Sequence, residues 1–287
     1  IGSAKTESRA SGIHHAIPDT HIDIGKARNA IISRVEGASR ELEQQKLHAL
    51  WRLANGSAGF TAAWIDLMND INANIQEYIR TNMSGRKLTV SFLAYRSTEA
   101  APANDDLSLK QRYVINSNTS YYPEKDESGN PVYLKCDEGV AVWLAPINAT
   151  YAENLNHADN ADELATIKKW TKLSSKVYLW TYATNFANYM YPYNSWQASA
   201  ENYKILKELG NVTYVWNSNI DAKGTAFTHL KGYIDSVFMR NANANYEETL
   251  NTYFTNYFGA AAEQARADFA ANVAKIMALR DLCQGKA

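Results

Sequence analysis

Two rhythms of apolar residues run along the chain. Helical spacing marks 25–34 and 41–54, where Leu42, Leu47, Leu50 and Leu53 recur at three to five residues. It returns over about 58–82, the longest such stretch. This third helix is expected to bury Trp64, Leu67, Met68, Ile71, Ile75, Tyr78 and Ile79 on one stripe and to stop at Ser84 and Gly85. Then the rhythm changes. Short apolar runs at 87–95, 139–147, 176–183 and 212–216 read as strands, the first with the apolar body of a strand covered on both faces. Helical patterns follow three of them, at about 162–173, 198–209 and 225–240. Helices at 246–257 and 260–282, parted by Gly259, close the chain.

Alternating strands and helices predict parallel βαβ units, with consecutive strands as neighbours in one sheet and right-handed crossovers. Four strands make half of an eight-stranded barrel. The first 86 residues offer only a weak strand candidate at 20–24. The expected fold class is therefore α/β: a TIM-barrel-like (β/α) protein, this chain being the C-terminal half of the barrel, with additional C-terminal helices. An open four-stranded sheet is the alternative. Three regions result: an irregular N-terminal segment with helices (1–57), the barrel-like portion (58–240) and a C-terminal helical extension (241–287). The polar segment 97–132 holds Pro102 and Pro123 and is too long for an ordinary connection. Leaving the end of a strand, it is expected as a lid or side wall over the C-terminal face.

A chain of 287 residues can bury one sizeable core or two small ones. Its formal charge of −1 supplies no basic field for phosphate backbones, so nucleic acid is not an expected partner. No apolar run approaches the ~20 residues of a membrane span. The sequence starts at Ile1 without an initiating Met or an apolar signal core, as a processed form or a fragment would. Cys136 and Cys283 lie far apart, make neither a disulfide framework nor a zinc site, and read as independent buried thiols. No Gly-rich phosphate loop, dinucleotide fingerprint or nucleophile elbow occurs, and His157 has no second ligand at metal spacing. No cofactor or metal is expected. Seven Trp, eighteen Tyr and many Asn point instead to carbohydrate, since aromatic faces stack on pyranose rings and amides bind hydroxyls. Most of these residues still serve cores and turns.

Several segments carry a family resemblance. They are 59–78 leading into 90–95, Trp143 to Ile147, 176–182 with Asn185 and Phe186, 227–234, and most tellingly 253–261. Together they resemble an uncharacterised bacterial domain-of-unknown-function family of glycoside-hydrolase-like TIM barrels, in the superfamily of α-glucuronidases and β-hexosaminidases. The resemblance covers roughly residues 58 to 280. It implies the barrel fold and a secreted, carbohydrate-handling protein. Such proteins often carry a Cys-rich segment before the long helix, and related hydrolases an acidic motif after the fourth strand. The stretch 40–55 has neither, so the resemblance implies the fold and not a set of catalytic residues.

Working residues of a (β/α) barrel stand at the C-terminal ends of strands. The carboxylates close behind strand ends are Glu99, Glu153 and Asp221, the catalytic candidates for a hydrolysis that uses two carboxyl groups. Tyr95, Trp180, Tyr182, Asn185, Trp216 and Asn217 are the candidate substrate-binding residues. Asp137 and Glu138 precede their strand and fall at the opposite face. Alternation pairs Trp180 with Tyr182 and Tyr214 with Trp216, while Val177 and Leu179 suit the layer under the helices.

Two functions follow from different classes. One is a glycoside hydrolase acting on a complex polysaccharide or glycan through a carboxylate pair. The other is a non-catalytic carbohydrate-binding or surface-assembly protein on the same scaffold. Both imply an extracellular, cell-surface or periplasmic location.

Overall fold

The structure, a computed structural model, describes residues 58–83, 85–115, 121–185, 193–218 and 227–283. All fall within one compact unit, residues 47–287. The helix candidates at 25–34 and 41–54, the strand candidate at 20–24 and Asp221 lie outside the described residues.

The protein is mixed α/β. Helix α1 (Gly59–Asn82) precedes strand β1 (Val90–Ala94), and β2 (Tyr113–Ile115) and β3 (Tyr121–Pro123) form a small antiparallel pair. Then come β4 (Val140–Leu144), α2 (Ala161–Leu173), β5 (Val177–Tyr182), α3 (Trp196–Glu208) and β6 (Val212–Ser218). Helices α4 (Thr228–Arg240), α5 (Tyr246–Phe258) and α6 (Ala262–Cys283) complete the described fold. Strands β1, β4, β5 and β6 lie side by side in that order, every pair parallel. The four apolar runs are thus neighbours in one sheet, as their alternation with helices requires.

One face of the sheet is aliphatic and covered. Phe92, Ala94, Val140, Val142, Leu144, Val177 and Leu179 pack against Ala62, Ile65 and Met68 of α1 and Leu164, Ile167, Trp170 and Leu173 of α2. Trp170 is the largest wholly buried side chain among the described residues; its ring meets Phe92 edge-on at 6.0 Å. A second cluster joins Trp196, Tyr203, Leu230, Ile234 and Phe238 to Leu250, Phe254 and Phe269 of the last two helices. Val215 touches both clusters, tying α3 to α6 into the fold through β6.

Three expectations change. The buried stripe of α1 runs through Ala62, Ile65, Met68, Asn72 and Ile79, while Leu67 and Tyr78 are exposed. The helix carries more apolar residues than one face can bury. Cys136 is buried as expected, and burial pushes its thiol up to about 12, but Cys283 is exposed at the end of a helix whose one buried residue is Phe269. The described part of the segment after β1 packs beside the helices, and only its start, through Glu99, borders the C-terminal edge as a side wall would. Ala101, Ala103 and Leu134 are buried with α1 and α2, Arg112 pairs with Asp66 of α1 (2.8 Å) and Lys169 of α2 with Asp105 (2.7 Å). The segment occupies the helix layer and serves as the β1–β4 crossover.

Gly139 at the foot of β4 accepts the Val90 N–H at 2.9 Å, and a Cβ there would stand 2.3 Å from Oδ1 of the buried Asn72. Gly139→Ala should cost about 1–3 kcal/mol in chemical denaturation, as overpacking does. Adding Asn72→Ala should recover part of that loss, a non-additivity expected only of touching residues.

Candidate functional site

The second face of the sheet is aromatic and open. Leu93, Trp143, Tyr178 and Tyr214 form a row across the four strands, and Trp180 beside Trp216 forms the next row. Trp143, Tyr178 and Tyr214 contact one another edge-on with centroids 5.2–5.9 Å apart, and the two indoles lie 4.1 Å apart. Leu93, Tyr214 and Trp216 keep 46%, 53% and 40% of their surface exposed. Parallel sheets normally bury both faces, so such an array is unusual for a finished surface. A bulge makes it possible. Val177 pairs with Val212 but Tyr178 with Tyr214, so Thr213 is the extra residue. Without that extra residue Tyr214 and Trp216 would turn towards the helices.

At the C-terminal edge the aromatic face meets a group of acids. The turn after β1 is strained: Arg96 has φ 50°, a left-handed conformation costly for a side chain with a Cβ. Thr98 Oγ1 locks the turn by donating to Leu93 O at 3.0 Å and accepting the Tyr95 N–H at 3.1 Å. Glu99 follows, its carbonyl held by the Trp170 indole N–H at 2.8 Å. Its carboxyl hydrogen-bonds that of Glu163 in the first turn of α2. Burial raises the Glu99 carboxyl above the usual range. Burial and then the Glu99 charge raise Glu163, whose Oε2 is enclosed and which also takes a hydrogen bond from Asn148. Two such carboxyls titrate as a unit and retain a proton to higher pH than either alone. Among the described residues neither interacts with a cation.

Tyrosines join this pair to the open face. Tyr182, last on β5, meets the ring of buried Tyr151 edge-on at 5.8 Å, and burial with the nearby Tyr95 and Glu99 raises its hydroxyl. Tyr151 donates to Pro146 O at 2.8 Å, and Tyr193 accepts the backbone N–H groups of Tyr151 and Ala152.

The candidates divide accordingly. Tyr95, Glu99 and Tyr182 come together, with Trp180 and Trp216 one row below. Glu153 instead pairs with Arg280 of α6, its charge already answered. Asn217 turns to the helix side, because alternation sends it opposite to Trp216. There it accepts from Thr181 (3.1 Å) and donates to Asp235 (3.0 Å), which also accepts from Tyr203 (2.9 Å). Asn185 lies three residues beyond β5, half-buried and engaged in contacts of its own. His157 accepts the Asp159 N–H in the turn before α2, and Asp137 and Glu138 sit at the N-terminal edge. Glu163 was not among the candidates. Its signal was helical: Glu163, Ile167 and Trp170 share one stripe, and the last two are core residues. Among the described residues no three His, Cys, Asp or Glu gather to hold a metal, and no helix is long and apolar enough to cross a membrane.

Across the edge from the acids, beside β5, lies the buried Lys231 of α4. Its ammonium donates to Ala183 O at 2.7 Å and sits 5.3 Å from the Trp196 ring and 5.7 Å from that of Tyr193. Burial, only partly countered by Asp235, lowers it to about 8.

The family model described as Domain of unknown function (DUF4838) matches residues 120–271, more than half of the chain. No curated protein and no solved structure matches.

Because Lys231 is lowered in the fold, its ionisation opposes folding. The cost is fully present below about pH 8 and vanishes as pH rises to the lysine's ordinary value of 10.5. The wild-type melting temperature should therefore gain a rising contribution between those values. Lys231→Met should lack it and flatten the profile there, measurable by calorimetry across pH 7–10.5.

Proposed function

The chain belongs to the DUF4838 family, and from that premise we propose that it handles carbohydrate as part of a glycoside-hydrolase-like (β/α) barrel. In this reading the four parallel strands are the C-terminal half of the barrel, the aliphatic face lies under the helices, and the aromatic face looks inward. Its C-terminal edge is then the mouth, where barrels of this class place their sites. The observation that carries the proposal is the open aromatic face running into tyrosines and a carboxyl pair at that edge. Indole faces offer stacking platforms to sugar rings, while carboxyl and phenol groups bind hydroxyls. The work belongs outside the cytoplasm, at a cell surface or in a periplasm, where polysaccharide is met.

Glycan binding is the function the geometry supports best. Glycoside hydrolysis is the second reading, favoured by the proton that Glu99 and Glu163 retain, which a general acid needs. Their direct contact is closer than the ~5–9.5 Å that separates the acid from the nucleophile or base of a glycosidase. The two therefore act as one acid, and a hydrolase would need a further carboxylate opposite them.

Trp216→Ala should weaken glycan binding, read by calorimetry against a polysaccharide panel, at a stability cost of about 1 kcal/mol or less, because the indole is 40% exposed. Trp170→Ala, emptying a core site, should cost about 3–5 kcal/mol. A large loss of stability with binding intact in the Trp216 variant would remove Trp216 from the site. Glu99→Gln separates the two readings. It should abolish release of reducing ends while sparing binding if the pair is catalytic, and no wild-type release from any substrate would leave binding alone.

A further inference from the structure

Lys231 is 8% exposed and Trp196 3% exposed. A buried ammonium is ordinarily matched by a carboxylate, because an unpaired buried charge is expensive. Among the described residues no carboxylate pairs directly with Lys231. Among the described residues its one hydrogen bond goes to the carbonyl of Ala183, which also accepts from Ser195 Oγ at 3.0 Å. Asp235, one turn along α4, is committed to Tyr203 and Asn217. Two of the three ammonium N–H groups therefore have no hydrogen-bond partner among the described residues. The Trp196 indole N–H, in the ring facing that ammonium, is enclosed and has no hydrogen-bond partner among the described residues. Lys231 lies in the first turn of helix α4. The helix's thirteen residues start from Phe227, left-handed at φ 57° and without a side-chain cap, and the Lys231 N–H bonds back to Phe227 O at 3.3 Å. A cation and an indole donor both favour negative charge.

We propose that Lys231 and Trp196, beside the first turn of α4, form a binding site for the anionic group of an acidic sugar, a carboxylate or a sulfate. This rests on the carbohydrate reading and names its substrate class. Ala183 directly follows Tyr182, so the cation borders the proposed mouth on the β5–β6 flank. Glu99 and Glu163 stand on the β1–β4 flank and repel an anion. The mouth is thus polar across its width, and an acidic sugar is held one way round.

The test is calorimetric titration of the full chain with oligosaccharides of equal length: neutral xylo-oligosaccharide, carboxylated oligogalacturonate and sulfated chondroitin fragments. One acidic series should bind about tenfold or more tightly than the neutral one, and which series does so tells carboxylate from sulfate. Lys231→Met should erase that preference and Lys231→Arg keep most of it. Equal binding of neutral and acidic sugars, or a preference that survives Lys231→Met, overturns the proposal while leaving the carbohydrate reading intact. A sugar-free arm separates the two ideas. Millimolar sulfate or acetate, against chloride at constant ionic strength, should raise the wild-type melting temperature saturably. If this occurs and no oligosaccharide binds, the anion site stands and the sugar reading falls; if neither occurs, both fall. Should Lys231→Met fail to fold, a saturable wild-type response supports the site and a flat one rejects it.

Discussion

Four parallel strands in register force every side chain onto one of two faces, and the chemistry of this protein follows from how unequally those faces are filled. Aliphatic residues of β4 and β5 meet α1 and α2 in a dry layer with Trp170 at its centre. Every residue that satisfies this layer excludes its neighbour from it. Apart from Ala141, the excluded positions are aromatic: Trp143, Tyr178, Trp180 and Tyr182. A buried core and an open aromatic face thereby alternate along the same strands, one residue apart.

The same layer fixes the acids. Trp170 reaches across from α2 to hold the Glu99 carbonyl, and Glu163 stands two turns earlier on the same stripe of that helix. Packing the indole against Phe92 therefore sets the distance between the two carboxyls. The strained turn at Arg96 completes the placement, holding Tyr95 and Glu99 where an unstrained turn would let the chain run on. On the other flank a buried cation is held under Ala183. A dipolar edge thus results from two unrelated packing solutions, each anchored in the core beneath it.

The strand and helix order was legible in the sequence, because burial on one face writes a period of two into strands and 3.6 into helices. So was the split of β5 into Val177 and Leu179 on one side and Tyr178, Trp180 and Tyr182 on the other. Alternation is a local property of extended backbone, and placing Glu99 behind the end of β1 needed only the end of an apolar run. The stripe of α1 was less legible, since Leu67 and Tyr78 are apolar yet exposed.

Long-range register and pairing carry no such local mark. The bulge at Thr213, which turns Tyr214 and Trp216 outward with Tyr178 and Trp180, depends on how β6 pairs with β5. The proximity of Glu99 and Glu163 spans sixty-four residues and depends on α2 seating Trp170 in the core. Arg280 answers Glu153 from the last helix, over a separation of 127 residues. The segment after β1 became a crossover because Ala101, Ala103 and Leu134 had a hydrophobic layer to enter, which its own polar composition does not announce. By itself the sequence determined the elements, their order and the two faces of the strands, all set by neighbours a few residues apart. Only the tertiary structure decided which acids meet, which stay buried and which way the last strand turns, because those outcomes belong to pairs of elements brought together by folding.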